Sequence, residues 1–84
     1  MTMLRFNDGS SRRYNSDREA IVDMIARTSG PEELALLVTE AVSEDSTTSL
    51  TGEEFAEVCW VAGATGVVTL AEVEQRRMAL NGLN

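Results

Sequence analysis

Hydrophobic positions recur at helical spacing in four stretches of the chain. The densest runs from Phe55 to Val68, where Glu57 is the one charge. Within it Phe55, Val58, Cys59 and Ala62 fall at i, i+3, i+4 and i+7, one stripe of a 3.6-residue period that Val61 widens. Thr51-Gly52-Glu53-Glu54 precedes the stripe as a start signal: the Thr hydroxyl can accept the Glu54 amide, and the Glu54 carboxylate can reach back to the Thr51 amide. Gly63 and Gly66 offer stops. The pattern predicts a central helix over 52–63, with the rest of the chain packed on it. Trp60 lies off the stripe, on the flank that also carries Glu53, Ala56 and Glu57.

Ser16-Asp17-Arg18-Glu19 opens a helix over 17–28, with Ile21, Met24, Ile25 and Thr28 inward. Ser29-Gly30-Pro31-Glu32 turns the chain, Gly30 serving as a left-handed cap and Pro31 as a first helical position. A second helix over 31–43 then aligns Leu34, Leu37, Val38, Ala41 and Val42 and leaves Leu36 off that face. Glu44 to Ser49 reads as a polar loop. Thr69-Leu70-Ala71-Glu72 opens a last helix over 70–81, and Asn81-Gly82-Leu83 suggests a Schellman stop with Leu83 folding onto Met78. Near the N-terminus the period changes to two. Met3 to Phe6 alternates, Asn7 to Ser10 is a turn cluster and Ser11 to Tyr14 returns, which predicts a β-hairpin over 2–14. A two-residue Asp8-Gly9 turn would set Arg5 opposite Arg12, and a three-residue loop removes that like-charge pair. The expected fold is mainly α with a minor β part: an N-terminal β-hairpin followed by a compact bundle of four short helices, in a single domain over 1–84.

Composition narrows the class. A chain of 84 residues, 43% hydrophobic and 25% charged, suits one modest core. No apolar run reaches the roughly 18 residues of a membrane helix, and MTMLRF lacks the apolar region of a signal peptide, so a cytoplasmic protein is expected. The lone Cys59, on the apolar stripe, fits a reducing compartment and a small buried hydrophobe. The net charge is −7, all seven cations are Arg, and residues 28–75 hold ten carboxylates without a cation. Such a body repels nucleic-acid phosphate and attracts basic surfaces.

Little chemistry can be assembled from these residues. Without His or Lys the common nucleophile–base pairs are missing, so no catalytic residue, metal site or cofactor is expected and the chain reads as a non-enzyme. Ser43 to Glu54 has Asp45 and Glu54 at calcium-loop positions but no acidic first ligand and no Gly at the sharp turn. In size and acidity the chain resembles acyl carrier proteins. Their Asp-Ser-Leu triplet is broken here, since Thr48 precedes Ser49-Leu50 and Thr47 follows Asp45-Ser46, and no modification site is carried over.

The surface carries the functional expectation. Glu53, Glu57 and Trp60 fall at i, i+4 and i+7, an indole beside carboxylates suited to an Arg- or Lys-rich protein. Leu36, the helix start Glu32 and Glu33, and the loop pair Glu44 and Asp45 would extend that partner-binding face. The expected function is a small acidic protein-binding protein that occludes a basic nucleic-acid-binding surface, the class of phage inhibitors of CRISPR or restriction systems. Two competing readings are a helix-turn-helix regulator presenting Arg76 and Arg77 to DNA, and an assembly subunit self-associating through Leu36 or Trp60.

Overall fold

The computed structural model describes residues 1–44 and 48–82. Its element order is β1 (Thr2–Phe6), β2 (Ser11–Tyr14), α1 (Asp17–Arg27), α2 (Pro31–Leu37), β3 (Val38–Ser43), β4 (Thr48–Thr51), α3 (Gly52–Ala64) and α4 (Leu70–Asn81). The four strands form one antiparallel sheet in the order β2-β1-β3-β4. This corrects the expected helical bundle: the fold is α+β, with helices packed on one face of a sheet. No helix among the described residues is long and apolar enough to cross a membrane.

The hairpin closes through the three-residue loop Asn7-Asp8-Gly9. Phe6 and Ser10 bracket it through a 2.9 Å backbone bond, and Gly9 takes the positive φ (90°) that a Cβ would penalise. Arg5 accordingly faces Ser11, and Leu4 faces Arg12.

The helix expected over 31–43 stops at Leu37, and 38–43 is the strand β3, inserted beside β1. Its pattern misleads because of a bulge. Arg5 pairs with Glu40 but Phe6 pairs with Val38, so Thr39 is an extra residue in the ladder. The bulge leaves Val38 and Ala41 both buried, three positions apart, which is also a helical spacing. Thr48 and Ser49, expected in a polar loop, instead open β4, which continues through Leu50 and Thr51 and pairs Leu50 with Ala41 and Thr51 with Glu40. Asp45, Ser46 and Thr47 lie outside the described residues.

On the covered face α1 packs on β1 and β2, while α3 packs on β3 and β4. The helix α2 lies along α3, and α4 lies along α1. Leu4, Met24, Val38 and Cys59 are fully buried between the layers, joined by Phe55, Leu34 and Ala20. Thr51 and Thr69 both form complete capping boxes, with Glu54 and Glu72 respectively. The α1–α2 turn differs from expectation: Gly30 is extended (φ 176°) and is the N-cap of α2, so it is no left-handed cap. Gly82 ends α4 at φ −107°, without the left-handed residue of a Schellman motif, and Leu83 lies outside the described residues.

Candidate interaction face

The helix α3 crosses the molecule with a buried edge and an open ridge. Gly52, Phe55, Ala56, Cys59 and Ala62 face inward. Two expectations are corrected here. Ala56 is core and not part of the displayed flank, while Val58 and Val61, expected on the inner stripe, are 41% and 49% exposed. Val58 lines an open hollow with Asp17 and Ile21 of α1 and Leu50 of β4, and is left partly uncovered there.

Trp60 stands 63% exposed. Glu57 and Glu53, one and two turns before it, are exposed as well, so the three residues make one solvent-facing ridge. Trp is highly buried on average, so an indole this open departs from its usual place in a fold.

Beside the ridge lies a groove of about 400 Å³ between α3, the α1–α2 turn and the start of α2. Trp60, Ala56, Gly63 and Ala64 form its α3 wall, Pro31 and Leu34 face them, and Arg77 closes one end. Cys59 lies at the bottom, its thiol pushed up to about 12 by burial, so it is a packing group without thiolate reactivity at neutral pH.

The other expected contact residues separate. Leu36 is 74% exposed on the outer side of α2, and its carbonyl accepts the Asn7 side-chain amide at 2.9 Å. Glu32 is exposed. Glu33 accepts from the Ser29 amide (2.7 Å) and hydroxyl (3.0 Å), and the backbone bond holds its carboxyl below the usual range. It secures the α1–α2 turn, a local duty that competes with partner contact. Glu44 is exposed at the end of β3, its amide bonded to the Met1 carbonyl (3.0 Å).

Topology also sorts the charges. The run α2–β3–β4–α3 has only acidic charges, whereas Arg12, Arg13, Arg18, Arg27, Arg76 and Arg77 all sit on β2, α1 and α4. At their centre is Asp23, a residue that sequence reasoning counted only as a charge. It is 2% exposed. Its Oδ1 accepts from Arg76 Nε (2.7 Å) and its Oδ2 from Arg27 Nε (2.9 Å) and the Tyr14 hydroxyl, with Arg12 at 3.5 Å. Burial alone would raise the Asp23 pKa. The bonds from Tyr14 and Arg76 and the charge of Arg27 overcome that and hold it below the ordinary carboxylate value. Burial, then the bond to Asp23, pushes Tyr14 up to about 12. The one hint in the sequence was Asp23 beside Met24 on the inward side of α1 and four residues before Arg27.

This network engages the cations that a DNA-reading α4 would present. Arg76 binds Asp23, and Arg77 binds Glu74 (2.6 Å) and the Ala26 carbonyl (3.4 Å). Among the described residues no group of three or more carboxylates or thiols is placed to hold a metal ion. No protein-family model, curated protein or solved structure matches the chain.

Proposed function

We propose that this is a small non-enzymatic cytoplasmic protein that binds a basic protein surface through the α3 ridge and thereby occludes it, the behaviour of an inhibitor of a nucleic-acid-handling complex. The observation that carries the reading is Trp60, 63% exposed beside Glu53 and Glu57 on the acidic half of the molecule. An exposed indole supplies a large rigid anchor, and the surrounding carboxylates steer an Arg- or Lys-rich partner toward it. The same field repels nucleic acid, which favours a protein partner over DNA.

The test is capture from host lysate by the tagged protein, with Trp60→Ala and a Glu53→Arg/Glu57→Arg double variant alongside. Recovery of a basic nucleic-acid-binding protein, weakened by salt and lost in both folded variants, is the expected result, and the captured protein should release its nucleic acid as the complex forms. Recovery of nucleic acid alone, of the protein itself alone, or equal capture by the variants would overturn the reading.

A further inference from the structure

The ridge defines the charge of a partner, while the groove beside it defines what that partner must insert. The groove exists because α3 carries small residues on that wall. A Cβ built on Gly63 meets only Ile25 Cδ1, at 4.0 Å, so the space in front of it is open. The opposite wall sets the apolar Ile25, Pro31 and Leu34 beside Thr28 and Ser29 of the turn, and Trp60 lines the groove from α3. Arg77 is the single charged lining residue, and it is paired with Glu74. The two helices that wall the groove, α2 and α3, carry only carboxylates as charges, Glu32, Glu33, Glu53, Glu54 and Glu57, all exposed.

We propose that the groove seats one aliphatic side chain of the partner, and that an adjacent Arg or Lys lies on the Trp60 indole within reach of Glu57. The site would thus read an aliphatic–cationic pair of residues in a protein segment. A pocket of this size suits a single apolar anchor, and a cation over an indole is attracted by the ring as well as by nearby carboxylates. A second copy joined through the same ridge is a poor occupant, because it would bring two acidic faces together. The inference rests on the protein-binding reading above and specifies the chemistry it recognises.

The probe is the peptide acetyl-Ser-Leu-Arg-Leu-Arg-Gly-amide, with controls in which Leu becomes Ser or Arg becomes Glu. The single tryptophan of the chain makes indole fluorescence report on Trp60 alone, and NMR follows the Gly63 amide and the Trp60 indole N–H. The expected dissociation constant is about 0.1–1 mM, with about tenfold weaker binding when Leu becomes Ser. Gly63→Leu, which fills the groove, should bring the same loss. Ala64→Leu on the same wall repeats the test should Gly63→Leu unfold early. The Arg-to-Glu peptide and the Glu53→Arg/Glu57→Arg protein should each lose the cation-dependent part.

Binding by the filled variants as tight as wild type, or a Ser peptide as strong as the Leu peptide, overturns the groove inference and leaves the acidic-face reading standing. Binding unchanged by charge reversal overturns that reading itself. Absence of any shift up to about 10 mM peptide, weaker than any useful single-anchor affinity, also overturns the groove inference.

Discussion

At Gly52 the chain leaves no room for a side chain. A Cβ there would lie 1.7 Å from the Val38 carbonyl oxygen and 2.9 Å from that of Ala35. Both obstacles are backbone, which no rotamer change relieves, so Gly52→Ala should cost at least about 3 kcal/mol, read as a lower urea midpoint. Asp23 is the other demanding residue. Asp23→Asn leaves Arg12, Arg27 and Arg76 around a neutral amide and should destabilise by about 3 kcal/mol. The Asp23 pKa is depressed in the folded state, so its contribution is present above the unfolded value, about 4, and is lost as pH falls through the folded one. Wild type should therefore lose stability on acidification more steeply than Asp23→Asn, and parallel acid limbs would contradict the assignment. Tyr14 behaves oppositely, since its pKa is raised to about 12. Its stabilisation is complete below the unfolded value of about 10 and is lost as pH rises from there through 12. It is the only Tyr in the chain, so the tyrosinate absorbance measures it directly. Tyr14→Phe should remove that alkaline step in stability.

Among the elements, the helix starts were the most legible. A cap uses hydrogen bonds within four residues, so Thr51 with Glu54 and Thr69 with Glu72 could be read without the fold. Thr69→Ala should cost about 1 kcal/mol in a thermal or urea melt. Even the α1–α2 turn kept its carboxylate, though the acceptor of the Ser29 amide is Glu33, one residue later than the start signal suggested. Strands β3 and β4 were illegible for the converse reason. The hydrogen bonds of β3 run to the distant β1, and β4 pairs with β3 across a short connection and is a strand only because β3 is one. The bulge at Thr39 gives Val38 and Ala41 a spacing that helices share. In Thr48–Thr51 only Leu50 is apolar, too little pattern to announce a strand.

For the whole molecule, the decisive feature is the separation of charge across the fold. The ridge of Glu53, Glu57 and Trp60 was legible as a helical spacing, because residues at i, i+4 and i+7 share a face whatever that face meets. Whether the face met solvent was not legible: α4 could have covered Trp60, and it packs along α1 instead. Trp60→Ala should therefore change folding stability by no more than about 0.5 kcal/mol while abolishing partner capture, a dissociation that melting and binding assays on one sample can resolve.

Local chemistry in the sequence by itself determined the hairpin, the starts of the helices, the buried Cys59 and the alignment of carboxylates with Trp60. Each depends on contacts within a few residues or on a period of two or 3.6. Only the tertiary structure decided that 38–43 and 48–51 are strands, that Asp23 lies inside a ring of Arg, and that Trp60 stands open beside a groove. Those outcomes depend on which distant segments meet. Pairing of β3 with β1 satisfies backbone groups that a continued helix would have satisfied locally, and it draws α2 and α3 together at Gly52. Helical periodicity carries no trace of that choice.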